Sequence, residues 1–144
     1  MKAVLFDLDQ TLYPEADFVR GGFRAVAAHL ASRCGGAAGA LAEEMESILQ
    51  REGRGRVFDL LLAHHGWTGQ VAPETLLHLY RTHVPELRMH ADAAELLATL
   101  TVPLGPVTDG HPTAQHHKIA ALGLASRFAA IVCTADIGAH AAKP

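Results

Sequence analysis

Cysteine is scarce in this 144-residue sequence, long apolar runs are missing and net charge is small; each shortage excludes something. The two cysteines, Cys34 and Cys133, lie far apart and form no metal-ligand pair, so free thiols in a reducing compartment are expected. No stretch reaches the ~18 apolar residues that cross a bilayer. The first apolar run, residues 3–6, meets Asp7 too soon to serve as a signal peptide. Twelve Lys and Arg against fifteen Asp and Glu leave a formal charge of -3, with no general attraction to nucleic acid or anionic membrane. The expectation is a cytoplasmic protein whose partners include no nucleic acid polymer and no membrane. Nucleotide-cradling GxxxxGK[ST] and GxGxxG loops are absent, and so is the zinc signature HExxH. The histidines include two adjacent pairs, His64-His65 and His116-His117, whose side chains diverge by about 100° on a helix and so rarely share an ion. Surface positions suit them better. Trp67 and Tyr80 read as core aromatics.

What is present is apolar and patterned. Apolar residues make up 49% and charged residues 19%, the balance of a globular chain. The length suffices for one domain with a real core and not for two full ones. The uninterrupted apolar run at 3–6 predicts a strand buried on both faces, as in parallel sheets. Similar runs recur at 102–107 and 129–133. Pro103 and Pro106 fall in the second and predict a locally weakened ladder, because proline cannot donate.

Between the strands the period is helical. Val19, Phe23, Val26 and Leu30 fall at i, i+4, i+7 and i+11, and Leu41, Met45, Ile48 and Leu49 repeat the stripe. Residues 57–62 are a short apolar helix. Pro73-Glu74 opens another, with Leu76, Leu77, Tyr80 and Val84 on one side. Ala93, Leu96, Leu97 and Leu100 follow Asp92, whose charge suits a helix start. Strands separated by helices predict an α/β fold with parallel pairing and right-handed crossovers. The stretch 15–87 exceeds what one crossover needs, so it predicts a separate helical bundle with Phe23, Leu30, Met45 and Phe58 turned inward. Gly35-Gly36 and Gly53-Arg54-Gly55 break it into antiparallel helices.

Polar chemistry gathers where strands end. Asp7-Leu8-Asp9-Gln10-Thr11 follows the first strand, at the edge where open α/β sheets bind ligands. Two carboxylates about 4 Å apart repel by about 4 kcal/mol at an effective dielectric of about 20, so something must offset them. A hard divalent ion such as magnesium does so; equally, both could be solvated turn or cap residues. Thr108-Asp109-Gly110 ends the second strand, where a hydroxyl, outward N–H groups and the helix starting near Pro112 make an anion cradle or a ligand-free N-cap. His111 stands just beyond it.

Together these pieces carry a resemblance. The segment from Val4 through Asp7-Leu8-Asp9-Gln10-Thr11 to Pro14 resembles the first motif, hhhDxDxT, of the haloacid dehalogenase-like hydrolase superfamily. Thr108-Asp109-Gly110 resembles its second motif and Lys143-Pro144 its third, while the run from Lys118 to Leu124 resembles the segment that often precedes the third. The resemblance implies a partial Rossmann-like parallel core from residues 1–14 and 88–144, with a helical cap over the Asp7 pocket at 15–87. It implies a magnesium-dependent phosphatase acting on a small phosphorylated metabolite, with nucleotidase and phosphoglycolate phosphatase-like members among the similar sequences. Asp7 would be the nucleophile and Asp9 the general acid and base, with both at the Mg2+ site. Thr108, Asp109 and Lys143 would hold the substrate phosphate. An acid at Asp9 distinguishes phosphatases from dehalogenases proper, whose halide leaving group needs no proton.

Two departures accompany the resemblance. Gln10 stands where Gly or Asn is common. The fourth motif, an acidic cluster after a further strand, does not follow Lys143-Pro144. That strand would pair with the first, so an open edge and weak catalysis are expected of these residues alone. A phosphomutase, or a non-catalytic or partner-completed fragment, are the alternatives.

Overall fold

In the computed structural model of the chain, which describes residues 2–137, the first apolar run forms strand β1, Val4–Phe6. Helices α1 (Glu15–Cys34), α2 (Ala38–Glu52), α3 (Val57–His64), α4 (Pro73–Thr82) and α5 (Ala91–Thr99) follow. Then come β2 (Leu104–Thr108), α6 (Pro112–Ala121), β3 (Val132–Cys133) and the short α7 (Thr134–Ile137). The strands form one parallel sheet in the order β1-β2-β3. Val4 pairs with Leu104 and Phe6 with Pro106; Val107 and Thr108 pair with Val132 and Cys133. Both prolines are accommodated. Pro103 lies outside the strand and only accepts, taking the Val4 N–H at 3.0 Å, while the β2–β3 ladder opens at Val107, immediately after Pro106.

The chain divides into two compact units: residues up to Phe18 together with those from Val84 onward, and Val19–His83. The first unit holds the sheet and buries Leu8, Leu12, Tyr13, Leu104, Ile119 and Phe128. Here the expectation of a first strand buried on both faces is corrected. Leu5 is 66% exposed while Val4 and Phe6 are half-buried: side chains alternate across a sheet, and among the described residues the face that Leu5 occupies is left largely uncovered.

The second unit is helical. Its core joins Phe23, Val26 and Leu30 of α1 to Met45 and Ile48 of α2, Leu61 of α3 and Leu76 of α4. Each such side chain contributes about 1.5–3 kcal/mol through burial. Phe58 is half-buried, edge-on to Phe23 at 6.3 Å and to Tyr80 at 6.0 Å. Gly22 makes room for Tyr80: a Cβ there would lie 2.3 Å from the ring. Val84 leaves the stripe assigned to it and is 89% exposed. Residues before proline are driven out of the helical region, and Val84 precedes Pro85, so α4 stops at Thr82. Leu96 is likewise exposed, and Leu97 is the buried face of α5. No helix among the described residues is long and apolar enough to cross a membrane.

Candidate active site

Because β1 and β2 run parallel, their C-terminal ends reach the same edge of the sheet. Asp7 leaves β1 with an exposed side chain, and its Oδ1 accepts the Leu8 N–H at 2.9 Å. The chain then turns sharply, with Gln10 at φ 61, in the left-handed region that side chains other than glycine and asparagine seldom occupy. Its Oε1 accepts the Glu15 N–H at 3.2 Å, at the start of α1. The Leu12 N–H bonds the Leu8 carbonyl at 3.0 Å and closes the turn. Tyr13, fully buried, donates its hydroxyl to Asp9 Oδ1.

Thr108 is buried at the end of β2, and among the described residues its hydroxyl reaches only the Asp109 carbonyl at 3.5 Å, too long for a firm bond. Asp109 is exposed, yet its Oδ1 accepts the Thr134 hydroxyl at 2.5 Å from just beyond β3. Gln115 of α6 ties the two acidic loops together. Its Nε2 donates to the Asp109 carbonyl at 2.9 Å and to Asp9 Oδ2 at 3.3 Å. Gly110 permits this, at φ 133, since a Cβ there would lie 2.3 Å from that Nε2. His111 is exposed at the N-cap of α6 and makes no side-chain cap bond.

The residue that sequence reasoning missed is Lys118. Its Nζ donates to Asp9 Oδ1 at 2.8 Å and Oδ2 at 3.1 Å, with side-chain exposures of 6% for the lysine and 19% for the aspartate. The ammonium also lies 4.4 Å from the centre of the Phe18 ring. A signal was present in α6. Ala114, Gln115, Lys118 and Ile119 form its buried face, and two of those four residues are polar. A lysine on the inward stripe of a helix requires a partner of opposite charge, and Asp9 is that partner.

Asp7, Asp9, Thr108 and Asp109 thus share one sheet edge, while Lys143 lies outside the described residues. An exposed carboxylate at Asp7 suits a hard cation. The Asp9 carboxylate suits one less, with Lys118, Gln115 and Tyr13 donating to its oxygens. Among the described residues no group of three or more His, Cys, Asp or Glu side chains is placed to hold a metal ion. Away from this edge, at the C-terminal end of α3, His64 and His65 both reach the Glu44 carboxylate, His64 at Oε1 (3.0 Å) and His65 at Oε2 (2.7 Å). Burial pushes the Glu44 carboxyl up, but the hydrogen bonds and charge of His65 and His64 outweigh it and hold the group below its ordinary value.

The model of the haloacid dehalogenase-like hydrolases matches residues 1–144. The chain belongs to that family. A search of curated proteins found no match. Among solved structures, the chain is similar to YfnB of Bacillus subtilis, described as a HAD-hydrolase bound to magnesium, at TM-score 0.59 and 16% identity. That likeness covers 94% of this chain and 64% of YfnB. A haloacid dehalogenase-like protein of Agrobacterium tumefaciens matches at TM-score 0.53 and 18% identity, over 99% of this chain and 63% of its own. The HAD phosphatase of Thermococcus onnurineus matches at TM-score 0.52 and 25% identity, over 95% of this chain and 64% of its own. The haloacid dehalogenase-like chain described here therefore spans less than two thirds of these structures. With YfnB it shares the Rossmann-like α/β fold.

Proposed function

We propose that the protein is a magnesium-dependent phosphatase of this family, acting in the cytoplasm on a small phosphorylated metabolite through Asp7. The observation that carries this reading is Asp9, an acid held by three side-chain donors beside the strand end that presents Asp7. An enzyme expelling halide has no use for it. The likeness to the Thermococcus onnurineus phosphatase supports the same reading.

In the proposed reaction an Asp7 oxygen attacks phosphorus, and the bond to the ester oxygen breaks as Asp9 gives that oxygen its proton. Water then attacks the aspartyl-phosphate and passes a proton to Asp9, so inorganic phosphate leaves and Asp7 is restored. Thr108, whose buried hydroxyl lacks a firm partner among the described residues, and the N–H groups around Asp109 would bind phosphate oxygens, with Lys143 adding charge. Magnesium would be held by Asp7 and the main-chain carbonyl of Asp9, part of a six-oxygen shell. When bound it supplies positive charge to the phosphate.

The test is phosphate release from small monoesters by the intact protein, with and without magnesium, and by Asp7→Asn. The expected result is magnesium-dependent release that Asp7→Asn abolishes at unchanged melting temperature. Chloride release from a 2-haloacid, or phosphate transfer only to a sugar acceptor, would overturn the proposal.

A further inference from the structure

We propose that Lys118 is a positioning residue for proton transfer, fixing the Asp9 carboxylate with help from Gln115; this rests on the phosphatase reading above. The geometry is a clamp on both oxygens. Lys118 Nζ donates to Oδ1 and Oδ2 together, Tyr13 adds a second donor on Oδ1, and Gln115 adds one on Oδ2. A carboxylate with donors on each oxygen cannot rotate without breaking bonds.

Packing alone does not account for a lysine here. A methionine of similar length would fill the same space against Phe18 without desolvating a charge. Gln115 tells the same story. Its side chain is buried and its Oε1 has no hydrogen-bond partner among the described residues, so the amide is placed for its donor end. Burying an unsatisfied acceptor is unfavourable, and here it accompanies bonds to Asp9 and to the Asp109 carbonyl.

Proton transfer requires this kind of fixity. A general acid must lie within hydrogen-bond reach of the leaving oxygen and later of the attacking water. The clamp joins Asp9 to α6, which Gln115 also joins to the Asp109 loop, so both sides of the candidate site share one support.

The deciding experiment compares two substrates in the intact protein. p-Nitrophenyl phosphate has a leaving group that departs without a proton, whereas a simple alkyl phosphate does not. With Lys118→Met, kcat on the alkyl ester should fall at least about tenfold more than on the aryl ester, with both KM values little changed. Gln115→Leu should give a smaller split in the same direction, which keeps the test decisive if Lys118→Met folds poorly. Equal losses on both esters, or a change in KM alone, would overturn the positioning role while leaving the phosphatase reading intact. Absence of turnover on either ester by the unmodified protein would instead remove the phosphatase reading, and this role with it.

Discussion

The Lys118 ammonium lies 2.8 Å and 3.1 Å from the two carboxylate oxygens of Asp9, across 109 positions of sequence. The two depend on each other unequally. Asp9→Leu strands a buried ammonium and should cost about 3 kcal/mol. Lys118→Met leaves a partly exposed carboxylate that still has Tyr13 and Gln115, and should cost about 1–2 kcal/mol. The double variant should be more stable than Asp9→Leu alone. Urea unfolding of all four proteins gives the coupling, and simple additivity would show that the pair does not interact.

Gly110→Ala places a methyl group 2.3 Å from Gln115 Nε2 at a backbone angle of φ 133. The expected loss is about 2 kcal/mol, from backbone strain and displacement of the amide. Adding Gln115→Ala should recover only the part due to the clash. Thermal melting of the single and double variants checks this.

Gln10 holds a left-handed conformation that glycine adopts freely. Gln10→Gly should therefore stabilise the chain by up to about 1 kcal/mol, net of glycine's greater unfolded-state entropy. A fall in melting temperature would mean that the bond from Gln10 to the Glu15 N–H matters more than the strain.

Glu44 predicts an acid-side effect. Its folded carboxyl is held below its ordinary value of 4.5, so its contribution is present above that value and fades as pH falls through the lower, folded one. The stability advantage of the unmodified protein over Glu44→Gln should shrink on acidification from about pH 5 to about pH 3. An advantage that holds constant or grows over that range would remove the assignment.

Much of this protein was legible in its sequence because the signals are local. Uninterrupted apolar runs next to helical stripes determined parallel strands between helices, and Phe23, Leu30 and Met45 lie in the core their spacing assigns them. The paired acids after β1 and the Thr108-Asp109-Gly110 turn after β2 mark strand ends, and parallel pairing brings strand ends to one edge. Local chemistry also demanded something to offset Asp7 and Asp9, but it left the choice between a metal ion and solvent. Only the tertiary structure decided that Asp9 pairs with Lys118, because two charges recognise each other by distance in space and not by separation in sequence. Exposure of Leu5 was decided there too. An apolar run records what a strand prefers, whereas the burial of each face depends on what packs against that face of the sheet.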